Sequence, residues 1–252
     1  MIDMHSHILP GIDDGARDTD ISLELLRRLR EDGVDTVCLT PHFNFERQSI
    51  EEFLDARNAA RQRLEAALEP TGWDLRLLSG AEVAFSPELA SQDGVDRLCL
   101  EGTRCMLIEL PVAYLPKWTG EVLDELQLQG IVPLLAHVER YSYFQQQPEK
   151  LYELVCDGCF AQFNATSLVK HKSLQKQILL LLRHNLLHCM GSDTHSPDKR
   201  PPILGQAAAL VEKRMGADCL AGLEKNGMDL AMGRPVKAAA PKPFHKVFGK
   251  VF

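Results

Sequence analysis

Long hydrophobic runs are missing from this sequence of 252 residues. Its longest unbroken aliphatic stretch covers only residues 178–182, whereas a membrane-spanning helix needs about 20 apolar residues. Near the start of the chain, Asp3, His5 and His7 stand where the apolar core of a signal peptide would lie. The sequence therefore predicts a protein without a signal peptide or a transmembrane segment, and we expect it in the cytoplasm.

Motifs for cysteine chemistry and for dinucleotide binding are also missing. Among seven cysteines, Cys156 and Cys159 form one Cys-x-x-Cys pair, but the second pair that a zinc ribbon needs is absent. No arginine stands six residues after any cysteine, which excludes the Cys-x5-Arg motif of cysteine-based tyrosine phosphatases. The glycines of segment 11–15 do not form Gly-x-Gly-x-x-Gly, so the first turn is not that of a dinucleotide-binding fold. We expect free thiols in a reducing compartment.

Basic residues are outnumbered by acidic ones. The chain has 28 lysines and arginines against 35 aspartates and glutamates, a net charge of −7. Because proteins that coat nucleic acid are usually basic, we expect no nucleic-acid partner. Segment 237–252 differs, since it has four lysines, three phenylalanines and no acidic residue. We therefore separate a barrel domain at 1–236 from a basic tail at 237–252.

Short apolar runs alternate with helical stretches along the chain. Several runs are apolar on both faces, as buried parallel strands are. The predicted strands cover residues 2–6, 36–40, 75–83, 105–110, 132–136, 161–164 and 187–191. The predicted helices cover residues 19–32, 49–69, 117–129, 148–157, 173–184 and 204–215. This alternation predicts an α/β fold, a distorted seven-stranded (β/α) barrel, with a doubly wound open sheet as the alternative.

The first predicted strand carries two histidines at positions i and i+2. Because side chains alternate along a strand, the imidazoles of His5 and His7 point the same way. A proline-glycine pair then turns the chain, so that Asp13 or Asp14 can return to the same point. Of the two, we favour Asp14 as the ligand. Imidazole and carboxylate together indicate a site for a divalent metal ion.

More imidazoles and carboxylates follow the other predicted strands. In a barrel of parallel strands, all carboxyl-terminal strand ends share the face on which active sites are built. Each residue alone could be an ordinary solvated side chain, but five of the nine histidines follow apolar strands. The candidate ligands are His5, His7, Asp14, His42, Glu82, Glu109, His137, Asp193 and His195. This number exceeds the needs of one or two tetrahedral ions, so we expect two or three ions of Mn, Fe or Zn.

Two arginines stand in the loops that follow these strand ends. Arg140 lies three residues after His137, and Arg200 lies seven residues after Asp193. Either could be a surface arginine, but guanidinium groups also bind phosphate oxygens in a bidentate way. Next to a metal site, they predict phosphoester hydrolysis by a metal-activated water or hydroxide, with the arginines holding the phosphate and its growing charge.

Six segments of the sequence resemble motifs of the PHP (polymerase and histidinol phosphatase) superfamily. They are MIDMHSHILPGIDDGARD, TPHF, GAEV, LIELP, AHVERY and GSDTHSPDKRPP. The first and last resemble, more narrowly, the bacterial capsule and exopolysaccharide protein-tyrosine phosphatases of that superfamily. The resemblance runs from residue 1 to about residue 235, and one departure is Val138, where the family often has proline. It implies a distorted seven-stranded (β/α) barrel with a trinuclear centre, commonly of manganese.

The resemblance also implies a role for each candidate residue. One ion would be held by His5, His7, Glu82 and Asp193. A second would share Glu82 and take Glu109 and His137. A third would take Asp14, His42 and His195. The loop arginines, Arg140 and Arg200, match phosphate-binding arginines. Substrates in the family are phosphotyrosines on the tail of a partner tyrosine kinase that controls polysaccharide export.

Four other functions remain as alternatives. A histidinol phosphatase would use the same metals in a deeper pocket. A metal-dependent amidohydrolase also begins with a His-x-His strand, but it often needs a carboxylated lysine after the fourth strand, which here ends in Glu109. A non-catalytic module of this superfamily typically loses ligands, and all nine are present here. A DNA nuclease is disfavoured by the acidic charge, because duplex binding needs phosphate neutralisation.

Overall fold

A computed structural model describes residues 1–244, 246–247 and 250–251 of the chain. The part of the predicted tail at positions 245, 248, 249 and 252 lies outside the described residues. Of the helices in the described part, none is long and apolar enough to cross a membrane.

Strands and helices alternate along most of the chain. The strands are β1 (Ile2–Ser6), β2 (Thr36–Leu39), β3 (His42–Phe43), β4 (Arg76–Ser79), β5 (Glu82–Ala84), β6 (Cys105–Glu109), β7 (Val132–Leu135), β8 (Phe160–Asn164), β9 (Cys189–Gly191), β10 (Lys246–Val247) and β11 (Lys250–Val251). The α-helices are α1 (Thr19–Glu31), α2 (Ile50–Leu68), α3 (Thr119–Leu128), α4 (Ser142–Gln146), α5 (Glu149–Cys156), α6 (Ala165–Lys170), α7 (Lys172–Arg183), α8 (Leu204–Met215) and α9 (Ala217–Ala231). Short 3₁₀-helices cover Glu69–Thr71, Leu89–Ser91, Val95–Leu98 and Val138–Arg140.

The first nine strands pair in parallel and form two sheets. One sheet has the order β1-β2-β4 and the other has the order β3-β5-β6-β7-β8-β9. The sheets are continuous at two places, because β2 leads into β3 and β4 leads into β5 after only two residues each. Backbone hydrogen bonds bridge these gaps, from Gly80 N to Leu39 O at 2.8 Å and from Glu82 N to Pro41 O at 3.0 Å.

The last strand of the larger sheet returns to the first strand of the smaller one. His7 N donates to Thr194 O at 3.0 Å, and Asp193 N donates to His5 O at 2.8 Å. The buried carboxylate of Asp3 supports the junction, since it accepts hydrogen bonds from the backbone N and the hydroxyl of Ser192 at 2.7 and 2.6 Å. The architecture is therefore an α/β fold with a curled parallel sheet.

The predicted count of seven strands is not what the structure shows. The third predicted strand is divided into β4 and β5, and β3 is a further short strand just beyond the predicted strand 36–40, which gives nine parallel strands in the described chain. Between β2 and β3, Pro41 has no N–H to donate to a sheet ladder. Between β4 and β5, the chain at Gly80 passes so close to Leu100 that a Cβ would lie 2.6 Å from its Cδ2. All six predicted helices are present, with ends within two residues of those predicted.

Helix α9 was not among the predicted helices, and it covers the amino ends of β1 and β9. At Gly227, an added Cβ would lie 3.1 to 3.3 Å from Ile2, Met4 and Cys189. These contacts place α9 directly against the apolar side chains at the start of both strands. The candidate ligands lie towards the other end of these strands.

The described start of the predicted tail lies against the end of α7. Lys242 N donates to His184 O at 2.9 Å, and Asn185 Nδ2 donates to Ala240 O at 2.8 Å. The ring of Phe244 stacks on that of His184 with centroids 4.0 Å apart. Residues 240–244 are therefore held on the surface by backbone and ring contacts.

Candidate metal centre

All nine candidate ligands come together at one end of the curled sheet. Eight of them lie within a parallel strand or at most four residues after one, and Asp14 lies in the loop between β1 and α1. They form four overlapping groups in which the ligand atoms lie within 4.8 Å of one another. The groups are His7, Asp14, His42 and His195; His5, His7 and Asp193; His5, Glu82 and His137; and His42, Glu82 and Glu109.

The carboxylate of Glu82 lies at the centre of this cluster and is only 1% exposed. Its Oε2 lies 3.2 Å from the Nε2 atoms of both His5 and His7 and 2.9 Å from His42 Nδ1. Its Oε1 lies 2.8 Å from His137 Nε2. Burial raises the pKa of Glu82, but the facing imidazoles, His5 first, lower it well below its ordinary value. Glu82 is therefore an ionised bridge among four histidines.

The imidazoles of His5 and His7 face each other, with their Nε2 atoms 3.0 Å apart. Asp193 Oδ1 lies 3.7 Å from the first nitrogen and 3.5 Å from the second. Burial lowers the pKa of both rings, but for His5 the charges of Glu82 and Asp193 outweigh it. For His7, hydrogen bonds to Asp13 and Glu82 raise the pKa to about 10. Negative charge thus surrounds two ring nitrogens that aim at one point, which suits a cation.

One ring nitrogen of His195 is unpartnered in the described chain, and its surroundings indicate whether a metal ion fits the cluster. Its Nδ1 lies 3.0 Å from the backbone carbonyl of Asp193, which can only accept, so Nδ1 carries the proton. Burial lowers the pKa of His195 to about 4, so the ring is neutral and Nε2 presents a lone pair. That buried Nε2 has no hydrogen-bond partner in the described chain and lies 3.4 Å from Asp14 Oδ1. A cation between these two acceptors would satisfy the buried nitrogen, and the residues therefore fit a metal ion.

The two neighbouring aspartates of the first turn occupy different positions. Asp13 Oδ2 accepts from His7 Nδ1 at 2.7 Å and from His42 N at 3.1 Å, and its Oδ1 accepts from Gly15 N at 2.9 Å. Burial raises the pKa of Asp13, but these hydrogen bonds, led by that from His7, lower it to about 2. Asp14 instead points Oδ1 towards the outer histidine rings. The structure places Asp14 among the ligand atoms and Asp13 behind His7, where it fixes the tautomer of that ring.

Two amide side chains on β8 support the cluster, and sequence reasoning missed both. Gln162 Oε1 accepts from His137 N at 2.8 Å and faces His5 Nδ1 at 3.4 Å. Gln162 Nε2 donates to Asn164 Oδ1 at 2.8 Å, and Asn164 Nδ2 donates to Asp193 Oδ2 at 2.6 Å. The available signal was two polar residues at i and i+2 in an otherwise apolar strand, the spacing already noted for His5 and His7.

His137 and Asp193 are both held in the left-handed backbone region. Their φ angles are 32° and 51°, values that non-glycine residues seldom adopt. Such a conformation persists only where the surroundings enforce it, and it is concentrated at functional sites. Here it turns each side chain back towards the cluster immediately after its strand ends.

The two loop arginines meet at one carboxylate oxygen. Arg140 Nη1 donates to Asp193 Oδ2 at 3.2 Å, and Arg200 Nη2 donates to the same oxygen. The side chains of Arg140 and Arg200 are 43% and 37% exposed. Since each guanidinium has five donors, both retain N–H groups that can bind an anion at the edge of the cluster.

The cluster opens to solvent on both sides of Asp14. A cavity of about 670 Å³ is lined by Asp14, His42 and Glu109, with seven other residues. A second cavity of about 440 Å³ is lined by Asp14, His195 and Arg200, with four others. The side chain of Asp14 is 68% exposed. The arrangement is therefore an open groove across the candidate ligands, which can admit a group carried on a polypeptide chain.

Comparisons of sequence with known proteins give one consistent family. The family model described as capsular polysaccharide synthesis, CpsB/CapC, matches residues 1–230. The tyrosine-protein phosphatase YwqE of Bacillus subtilis is 34% identical over 255 aligned positions, which cover 99% of each chain. The tyrosine-protein phosphatase CpsB of Streptococcus pneumoniae is 31% identical over 233 positions, 86% of this chain and 92% of that one.

A solved structure agrees with these relatives over nearly the whole chain. It comes from the crystal structures of YwqE from Bacillus subtilis and CpsB from Streptococcus pneumoniae, which are described as metal-dependent tyrosine phosphatases. The TM-score is 0.90 at 32% sequence identity, and the match covers 98% of this chain and 100% of the other. The curled sheet and its strand order are therefore shared with an experimentally determined fold.

Proposed function

The chain belongs to the CpsB/CapC family of capsular polysaccharide synthesis, and we propose that it is a metal-dependent protein-tyrosine phosphatase acting on a bacterial protein. The observation that carries this proposal is the buried lone pair of His195 Nε2 facing Asp14, within a cluster of nine imidazole and carboxylate ligands. Two relatives, which cover 99% and 86% of the chain, are tyrosine-protein phosphatases, and the matching solved structure is that of a metal-dependent one.

The nine clustered residues would hold three divalent ions, with manganese as our first choice and iron or zinc as alternatives. His5, His7, Glu82 and Asp193 would hold one ion. Glu82, Glu109 and His137 would hold the second, and Asp14, His42 and His195 the third. Ions bound there supply an activated water and neutralise charge on the phosphoryl oxygens. Hard carboxylate ligands mixed with imidazole, and no thiolate, support this choice of metals.

The protein's own residues bind and orient the phosphate. Arg140 and Arg200 are tethered by Asp193 and would direct their free N–H groups at the phosphoryl oxygens, where negative charge grows in the transition state. Asp13 keeps Nε2 of His7 directed into the cluster. Gln162 and Asn164 link the backbone at His137 to the carboxylate of Asp193, and so hold the candidate ligands that follow β7 and β9 relative to each other.

The open groove favours a protein substrate over a small molecule. A small phosphate ester would be held best by an enclosed pocket, whereas the cavities on both sides of the exposed Asp14 open to solvent. The proposed substrate is the phosphotyrosine tail of a tyrosine kinase that controls capsule or exopolysaccharide synthesis. The family's role in capsular polysaccharide synthesis supports this choice. A small-molecule phosphatase such as histidinol phosphatase is the alternative.

The remaining proposals concern the type of fold, the domain boundaries and the cellular compartment. We describe the fold as a PHP-type distorted (β/α) barrel, in which β2 with β3 and β4 with β5 each count as one interrupted strand. Residues 1–236 would form the phosphatase domain and residues 237–252 a basic tail. All seven cysteines are free, which supports action in the reducing cytoplasm.

Turnover of two substrates by the manganese-loaded protein tests the function. We expect efficient hydrolysis of a phosphotyrosine peptide, little hydrolysis of histidinol phosphate, and loss of activity with a chelator that Mn(II) reverses. His7→Ala should abolish turnover, whereas His171→Ala, at an exposed histidine outside the cluster, should not. A clear preference for histidinol phosphate would overturn the protein-phosphatase proposal. Full activity of a chelated, metal-free sample would overturn the metal mechanism.

A further inference from the structure

A third arginine lies at the groove, on the side away from Arg140 and Arg200. Arg47 lines the 670 Å³ cavity together with the candidate ligands Asp14, His42 and Glu109. Arg200 lines the other cavity, and the two cavities share Asp14. A substrate phosphate held by the first pair of arginines would therefore leave the flanking peptide within reach of the cavity that Arg47 lines.

The guanidinium of Arg47 is unpaired. It has no ion pair or side-chain hydrogen bond with any residue in the described part of the chain, although Asp13, Asp14 and Glu109 line the same cavity. Two of these acids are candidate metal ligands and would be neutralised by ions, whereas Asp13 is bonded to His7. Arg47 is thus the cavity wall's one cationic side chain and is available to an incoming anion.

The backbone beneath Arg47 is fixed at both ends. Its N–H donates to Asn44 O at 3.0 Å, and the Asn44 side chain accepts from Glu46 N at 2.8 Å, which closes a tight turn. The turn begins directly after β3 and ends at Ser49, whose side chain forms a capping box with Glu52 at the start of α2. A cation carried on such a turn has a defined position, which reduces the entropy lost on binding.

We propose that Arg47 determines specificity by binding a carboxylate of the substrate peptide next to the phosphotyrosine. The proposal rests on the phosphatase function given above and names the chemistry of its substrate. Arginine matches a carboxylate through two parallel N–H donors. The protein has a net charge of −7, so its surface as a whole repels acidic peptides. An unpaired arginine beside the reaction site attracts them locally.

Matched peptides test this role. Kinetic constants are measured for phosphotyrosine peptides that carry a single glutamate at successive positions on either side, and for the same peptides with glutamine there. At one or more positions we expect kcat/KM to favour glutamate by about three- to tenfold at low salt, as for a partly exposed charge pair. The preference should shrink at high salt, because exposed pairs are screened. Arg47→Gln should reduce the preference to about one, and Arg47→Lys should restore part of it.

Arg214→Gln is the matched control, since Arg214 is an exposed arginine on α8 without an ion pair in the described chain. It changes the net charge equally and should retain the wild-type preference for glutamate. Equal rates for the glutamate and glutamine peptides with the wild-type protein, or a preference that survives in Arg47→Gln, would overturn the role of Arg47 while leaving the phosphatase proposal intact. Failure of the wild-type protein to hydrolyse any phosphotyrosine peptide would instead overturn the proposed function itself.

Discussion

His7 donates a 2.7 Å hydrogen bond from Nδ1 to the carboxylate of Asp13, and both side chains are buried. The bond leaves Nε2 of His7 as the atom that faces Glu82 and Asp193. Asp13 thus decides which nitrogen of His7 is presented to a metal ion, although it contributes no ligand atom to the cluster. Carboxylate-histidine pairs of this kind orient the ring and raise its basicity as a ligand.

Asp13→Asn should therefore weaken metal binding without removing a ligand. The amide keeps the size of the side chain but loses its charge, and we expect about 10- to 100-fold lower affinity for Mn(II). Competition with a chelator of known affinity measures the effect. Asp20→Asn, an exposed change in the first turn of α1, is the control and should bind like the wild type. Unaltered affinity in Asp13→Asn would refute the orienting role.

Arg200→Ala should impair phosphate binding and the chemical step together. The guanidinium loses both its tether to Asp193 and its donors towards the phosphoryl oxygens, and removal of one such donor costs about 10²- to 10³-fold in rate. Arg200→Lys should recover part of the loss, because lysine keeps the charge but not the fork. Steady-state kcat and KM on a phosphotyrosine peptide separate the two effects. Arg183→Ala, exposed at the end of α7, should leave both constants unchanged, and a similar result for Arg200→Ala would contradict its role.

The clustering of the candidate ligands could be predicted from the sequence because it depends on topology alone. Imidazoles and carboxylates that follow parallel strands must meet at one end of the sheet, and all nine do. The supporting shell could not be predicted in the same way. Gln162 and Asn164 look like ordinary polar residues of a strand, and their roles emerge only when β8 is placed beside β7 and β9. Asp13 and Asp14 are chemically identical, and only the path of the turn separates them.

The limits of the fold prediction have a similar origin. Hydrophobic runs locate the strands, but periodicity does not reveal where a strand is interrupted. The sequence therefore predicts one strand over residues 75–83, where the structure has β4 and β5. The sequence does not predict helix α9, although Gly227 follows from the packing of that helix. Gly227 lies where a side chain would collide with β1 and β9. The sequence shows this glycine, but it does not show which strands lie against it.

A buried histidine outside the cluster makes folding stability depend on pH. His188 accepts a hydrogen bond at Nδ1 from Ala161 N at 3.0 Å, and burial lowers its pKa from an ordinary value of 6.5 to about 4. As the pH falls below about 6.5, His188 becomes protonated in the unfolded chain but stays neutral in the folded one. Stability is therefore lost progressively between about pH 6.5 and 4, by at most about 3 kcal/mol for this group.

His188→Asn should flatten this part of the pH dependence. Asparagine offers an acceptor near the position of Nδ1 but does not titrate. Urea unfolding of the chelated proteins at several pH values between 7 and 4.5 gives the free energy of unfolding, and the difference between wild type and variant should narrow as the pH falls. His171→Asn, at an exposed histidine, should keep the pH dependence of the wild type. A difference that stays constant with pH would show that His188 is not the titrating group.

Gly191 couples the packing of the sheet to the position of His5. An added Cβ would lie 2.6 Å from His5 Cβ and 2.8 Å from Gln162 Nε2, so Gly191→Ala must displace a candidate ligand or its support. We expect a loss of about 1–3 kcal/mol in the free energy of unfolding, as for other overpacked sites, and weaker Mn(II) binding. Gly222→Ala is the matched control: it lies within α9 with nothing within 4 Å of the new Cβ, so it should stabilise the protein by about 0.5–1 kcal/mol. Urea unfolding and chelator competition measure both variants. If Gly191→Ala retained full stability and metal affinity, the close packing of β9 against His5 would not be what positions that ring.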